Sequence, residues 1–247
     1  MNLVSRRPML VAAGLLALLV GLVAHLPARL ALAWFAPPAV SAWGVTGTVW
    51  NGQVSELALQ GRSLGALRWE ARPARFLALR PTWDIELRRP DGYVRGRVGT
   101  SLSGRSQYFD DLEASLELGT LPPAIVPIGV TGQLRLSAQQ LHLFNGWPRA
   151  VVGRAAVSEL QLPGVIMPLG PFSFHFPEQT PPVGTINSTG GPLSVDGRIE
   201  LPDVGRWLFS ADLAPGENPP RELVDGLRFV GEDLGDGRRR LVLSSEP

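Results

Sequence analysis

A chain that hydrolyses a substrate or holds a metal must gather a few polar side-chain types, so the scarce ones carry the first argument. Of the three histidines, His142 and His175 lie in the body of the chain, flanked by Leu141 and Leu143 and by Phe174 and Phe176. That alternation predicts that each sits on the solvated face of a strand. Neither has a carboxylate at ligand spacing, so no zinc site is expected. Carboxylates adjoin at Asp110-Asp111 and Glu232-Asp233, but consecutive side chains of a strand point to opposite faces, so neither pair is by itself the acid and base of a glycosidase. The one Gly-x-Ser-x-Gly match, Gly61-Arg62-Ser63-Leu64-Gly65, has Pro73 close behind it instead of an uninterrupted helical segment, so no nucleophile elbow for a Ser-His-Asp hydrolase is expected. The glycine-rich stretches 92–99 and 231–237 lack the phosphate-binding lysine, since all 23 basic residues are arginine. Cysteine is absent, which excludes disulfides, thiolate-bound metal and thiol catalysis. The expectation is a non-enzyme with no catalytic residue, no cofactor, no metal and no small-molecule substrate.

Charge narrows the partners. The formal net charge is +1 with no dense basic block, so nucleic acid is not an expected partner. The densest basic spot, Arg238-Arg239-Arg240, follows an Asp236-Gly237 turn. Three successive charges cannot share one face, and they read as a charged edge strand that resists aggregation, with contact to an acidic partner surface or to lipid headgroups as the alternative. The tryptophans of the body, Trp43, Trp50, Trp69, Trp83, Trp147 and Trp207 among them, stand beside Gly or Pro or inside expected strands and read mainly as packing residues.

The elements that would position these side chains are mostly strands. With 247 residues, 45% of them hydrophobic, the chain can bury a core. Its 28 Gly and 23 Pro disfavour long soluble helices and favour short strands joined by turns. Leu112, Ala114, Leu116 and Leu118 alternate with polar residues, as do Leu134 and Leu136, then Phe172, Phe174 and Phe176, then Val195, Gly197, Ile199 and Leu201. Asp236-Gly237 between Leu234 and the 241–243 run predicts a type I′ hairpin. One helix is expected near the C-terminus, capped by Asn218, with Pro219 and Pro220 in its first turn and Leu223, Leu227 and Val230 at helical spacing.

Between Arg7 and Arg29 there is no Arg, Asp or Glu. At about 1.5 Å per residue such a run reaches roughly 30 Å, the hydrocarbon thickness of a bilayer. A transmembrane helix with its interfacial segment is therefore expected over 8–35. Arg6 and Arg7 favour a cytoplasmic N-terminus over 1–7, and Trp34 and Phe35 would be anchors at the far interface. Ala31-Leu32-Ala33 also fits a signal-peptide cleavage site, but the apolar run is longer than an ordinary signal core, which favours an uncleaved anchor.

The body repeats itself. Val54-Ser55-Glu56-Leu57 recurs as Val157-Ser158-Glu159-Leu160, Leu64-Gly65 as Leu169-Gly170, Gly96-Arg97-Val98 as Gly197-Arg198-Ile199, and Pro122-Pro123 as Pro219-Pro220. The order and the similar offsets predict two diverged copies of one β-rich unit, over 43–145 and 146–247. The expected fold is mainly β: an N-terminal transmembrane helix, then two β-rich copies forming an antiparallel sandwich or an open trough, with a short helix near the C-terminus.

The motif Gly47-Thr48-Val49-Trp50-Asn51-Gly52 behind an apolar N-terminus, followed by Leu64-Gly65, Trp69 and Pro73, resembles the type II secretion system protein N family. The stretch from Gly191 to Gly197, the helix from Pro219 and the final strand after Gly235-Asp236-Gly237 fit the same pattern. The resemblance implies a single-pass inner-membrane protein with a periplasmic body. It also implies a part in moving folded proteins from the periplasm across the outer membrane, and partners among the inner-membrane and periplasmic proteins of that machine. It implies no active site, and Gly47, Thr48, Trp50, Gly52 and Trp69 are read as family motif residues with a structural role. The second copy has Gly153-Arg154-Ala155-Ala156-Val157 in place of the motif, so any surface formed by Trp50 is not duplicated. An alternative from another class is a membrane-tethered periplasmic carrier of lipid or another hydrophobic ligand, which a continuous apolar face open to solvent would favour.

Overall fold

The computed structural model describes residues 6–76, 79–123, 126–165 and 167–245. The chain divides into two compact units, Met1–Ala71 and Arg72–Pro247.

The first unit opens with two helices, α1 (Arg6–Ala24) and α2 (Ala28–Phe35). Pro27 separates them: it has no N–H to continue α1, and it steers Leu26 away from helical angles. The segment expected to be interfacial is thus a second helix. At about 1.5 Å per residue, the 19 residues of α1 make roughly 28 Å. Among the described residues no helix is long and apolar enough to cross a membrane. The expected span over 8–35 includes side chains at 8–10, 12, 13, 16 and 35 that lie outside those described. Four strands follow: β1 (Val40–Trp43), β2 (Thr46–Gly47), β3 (Asn51–Leu59) and β4 (Arg62–Ala71). β3 is central, pairing antiparallel with β1, β2 and β4. Its Gly52 and Val54 are buried between exposed neighbours, and after a register shift Ala58 continues the dry face.

The second unit begins with a helical turn, α3 (Pro73–Phe76), and continues as β5 (Thr82–Arg89), β6 (Gly92–Thr100), β7 (Ser106–Glu117), β8 (Thr131–Phe144), β9 (Trp147–Gln161), β10 (Phe172–Phe176), β11 (Val183–Ser188), β12 (Leu193–Asp203) and β13 (Arg206–Pro215). After α4 (Arg221–Leu227) the chain ends in β14 (Glu232–Gly235) and β15 (Arg238–Ser244). From β5 to β13 each strand pairs antiparallel with the next, after which β15 follows β13 and β14 lies outside it. The result is an open antiparallel sheet and not the expected sandwich.

Register aligns the apolar side of the alternation into a stripe across the strands. Leu87, Val94, Ala114, Leu136, Ala155, Phe174, Ile186, Gly197, Ala211 and Leu241 are successive cross-strand partners. Beside it runs a second row, Leu116, Leu134, Val157 and Phe172. Because a one-residue slip would turn each row to water, these rows fix the pairing. The β7–β8 connection folds over this face: Leu118 and Leu121 are buried with Ala114, Leu116 and Val157, and Val126 and Val130 pack against them.

Two ion-paired arginines hold the covering segments. Arg89, with a side chain only 4% exposed, donates to Asp91 at 2.8 Å and to the Thr120 hydroxyl at 2.8 Å, tying the helical turn Leu118–Thr120 to the β5–β6 hairpin. Arg239 donates to the Val230 and Gly231 carbonyls at 2.9 Å and to Asp233 at 2.9 Å, fastening the link between α4 and β14.

The C-terminal hairpin has the expected two-residue turn, with φ +53° at Asp236 and +74° at Gly237 and Gly235 paired to Arg238. Positive φ at both positions is what a type I′ turn requires. The edge-strand reading of Arg238–Arg240 is corrected, because β15 lies between β13 and β14. Its charges are tolerated there because Arg240 forks onto Asp212 of β13, at 2.7 and 2.9 Å, and Arg239 reaches back to the α4 link. Asn218 is not the expected helix cap, since Pro220 holds that position with no side-chain hydrogen bond.

Leu116→Ala removes a buried side chain from the β7–β9 cluster and is expected to destabilise the protein by about 2–5 kcal/mol, whereas Gln133→Ala on the exposed face stays within about 0.5 kcal/mol. Urea denaturation of both variants measures the difference.

Candidate functional site

The residues of the Gly47–Gly52 motif meet at the C-terminal end of α1. A helix leaves its last carbonyls without intrahelical donors, and here the motif reaches one of them and one carbonyl of the link that follows. The Trp50 indole N–H donates to the Val23 carbonyl at 2.8 Å, and the Val49 backbone N–H donates to the Leu26 carbonyl at 3.0 Å. An isolated bridge between Pro27 and Thr48 completes the attachment.

The turn that presents these donors is built by its own side chains. The Thr48 N–H donates to the Asn51 carbonyl at 2.8 Å, and the Thr48 hydroxyl accepts from the Trp50 and Asn51 amides at 3.3 and 3.2 Å. A hydroxyl bonded to the backbone in this way stabilises a turn locally. Trp69, paired with Gly52 across β3 and β4, donates its indole N–H to both the Thr48 and Val49 carbonyls, at 3.2 and 3.1 Å. One indole therefore holds the turn and the other holds the helix.

Both glycines are needed for clearance. Gly47 has φ +85°, and a Cβ there would lie 2.4 Å from the Asn51 carbonyl oxygen. A Cβ on Gly52 would meet the Trp69 ring at 2.5 Å and the Thr46 oxygen at 2.8 Å. The arrangement is a clamp made of backbone carbonyls and indole donors, and it offers no nucleophile, base or ligand set.

The other polar candidates are not brought together. His175 is exposed on its strand, as the alternation predicts. His142 is half-buried instead of fully solvated: its ring stacks on Tyr108 at 4.4 Å with planes 11° apart, and its Nε2 is buried without a hydrogen-bond partner. Sequence alternation missed this because Tyr108 is its direct cross-strand neighbour, and the Arg80 guanidinium lies 4.9 Å over the Tyr108 ring. Burial first, then the Arg80 and Arg149 charges, holds the His142 pKa below its ordinary value. Asp111 pairs with Arg97, and Asp233 with Arg239, so one residue of each adjacent carboxylate pair is engaged in an ion pair. Among the described residues no group of three or more His, Asp or Glu side chains could hold a metal ion.

The buried Arg89–Asp91–Thr120 network was not legible as a site, since its members are spread from β5 to the turn after β7. Burial alone would raise the Asp91 pKa, but hydrogen bonds from Arg89 and Thr120 outweigh it and leave the carboxyl below its usual range. The network latches the covering loop.

Two measurements follow from this geometry. Gly52→Ala should cost about 1–3 kcal/mol by forcing the Trp69 ring aside, and Trp50→Phe about 1 kcal/mol through the lost donor; both are read by chemical denaturation, with faster amide exchange at His25 and Leu26. His142 contributes stability that is full above the unfolded imidazole pKa of about 6.5 and is lost as pH falls below it. Denaturation midpoints should therefore fall between pH 7.5 and 5.5, and His142→Phe, which keeps the stack, should reduce that fall.

The comparisons with known proteins agree with one another. The family model for type II secretion system protein N matches residues 38–242. The protein named type II secretion system protein N in Vibrio cholerae serotype O1 is 30% identical, over 90% of this chain and 91% of its own length. The protein of the same name in Aeromonas hydrophila is 29% identical over 82% of each. No solved structure gives a significant match.

Proposed function

The chain belongs to the type II secretion system protein N family, and from that membership we propose that it is a non-enzymatic inner-membrane component of the secretion machine, helping to export folded proteins from the periplasm across the outer membrane. The observation that carries this reading is the family match, which spans nearly the whole body and includes the Gly47–Gly52 clamp. The turn bonded to the end of α1 ties the helix to the sheet of the first unit without catalytic chemistry.

The membrane placement rests on the apolar 8–26 run and on the exposure of α1. Leu15, Leu18, Leu19 and Leu22 are each more than 60% exposed, on a helix whose 19 residues carry no acidic side chain. Apolar side chains exposed along a helix call for a non-aqueous surround. In this reading 1–7 is cytoplasmic, 8–35 anchors the chain, and the body beyond is periplasmic, with 43–145 and 146–247 as diverged copies of one unit. The partners are other inner-membrane and periplasmic proteins of the machine, met through backbone edges and strand faces.

Affinity purification of the full chain from native membranes in mild detergent should recover inner-membrane proteins of the secretion platform by mass spectrometry. Recovery of the chain free of such proteins would remove the reading. Because the chain has no cysteine, single Ser5→Cys and Ser101→Cys variants report topology cleanly. A membrane-impermeant maleimide admitted to the periplasm is expected to label position 101 and spare position 5, and the reverse pattern would invert the placement.

A further inference from the structure

An apolar cavity of about 590 Å³ opens beneath α4 in the second unit. α4 contributes Leu223 and Leu227, the β9–β10 connection contributes Val165, Met167 and Leu169, and Glu222 is the one ionisable side chain in the wall. The volume lies within the range of about 300–1,000 Å³ that ligand pockets occupy. The covering β7–β8 loop, by contrast, packs directly on the sheet through Leu118 and Leu121, so the space under α4 is not a general looseness of the cover.

The wall decides the class of occupant. A peptide segment lowered into this space would bury amide N–H and carbonyl groups, each of which needs a partner, and the side chains of the wall supply one carboxylate. An alkyl chain makes no such demand. Glu222 has no ion-pair partner among the described residues, so it disfavours an anionic headgroup and suits a neutral one or one bearing an ammonium. Apolar surface also continues outside: Phe229, adjacent to Val230 of the wall, is 89% exposed, and Met167 is 47% exposed.

We propose that the cavity beneath α4 binds a single acyl chain of a lipid whose headgroup is neutral or zwitterionic. The site goes beyond the secretion reading and draws on it only for the presence of membrane lipid around the body. It gives the carrier alternative a specific place in the chain.

The test uses the full chain in detergent-free peptide nanodiscs and a lysophosphatidylethanolamine with a diazirine at the end of its acyl chain. After photolysis and proteolysis, adducts are expected on peptides carrying Met167, Leu169, Leu223 or Leu227. Leu223→Trp and Val165→Trp, which fill the cavity from α4 and from the β9–β10 connection, should each reduce those adducts at least fivefold with the melting temperature unchanged. Adducts confined to 8–35 would overturn the cavity site and leave the membrane anchor standing. Adducts at the cavity that persist in both tryptophan variants, or no adducts at all, would also overturn it, and recovery of secretion-platform partners judges the secretion reading separately.

Discussion

A meander sheet has two faces, and the period-two alternation of its strands leaves one of them apolar along its whole run. In a sandwich a second sheet would dry that face. Here successive strands pair in order, no second sheet is formed among the described residues, and the face is covered piecemeal by what lies between the strands. Leu118, Leu121, Val126 and Val130 cover one part, and α4 lies against β13 at another. The buried core is correspondingly small, and the covering segments depend on polar fasteners. Arg89 to Asp91 and Thr120 secures one, and Arg239 to Val230, Gly231 and Asp233 secures the other. Each arginine reaches backbone or hydroxyl groups as well as a carboxylate, which a planar guanidinium with five donors does well.

The same economy governs the first unit. The Trp50 indole reaches the Val23 carbonyl at the end of α1, and the Val49 amide reaches the Leu26 carbonyl in the link to α2. Since Trp69 holds the turn from β4, helix end, turn and sheet are fixed by one set of hydrogen bonds. Clearance and donors thus account for the Gly, Thr, Trp and Gly of the motif.

Much of this was legible in the residues. The alternation at 112–118, 134–136, 172–176 and 195–201 gave strands, and Asp236-Gly237 gave a two-residue turn, because both signals are local. Most of what failed was non-local. His142 looks solvated from its neighbours on β8, yet Tyr108 comes from β7 to stack on it. Arg238–Arg240 look like an edge until β14 returns to pair outside them. Asn218 looks like a cap, but the helix starts two residues later, after Pro220. The Arg89 latch joins residues about 30 positions apart, and the bonds from Trp50 to Val23 and from Trp69 to Thr48 cross 27 and 21 positions. No spacing rule reaches across such gaps.

The central claim is that the chain, with the sheet of its first unit clamped to α1, serves protein export. In the native bacterium, the ratio of exported proteins in the medium to those in the periplasm measures it most directly, in a strain lacking the chain and in strains restored with the natural chain or with Gly52→Ala. The account predicts that the ratio falls without the chain, recovers with the natural chain, and recovers only partly when the clamp is forced open. A ratio unchanged by loss of the chain would contradict it.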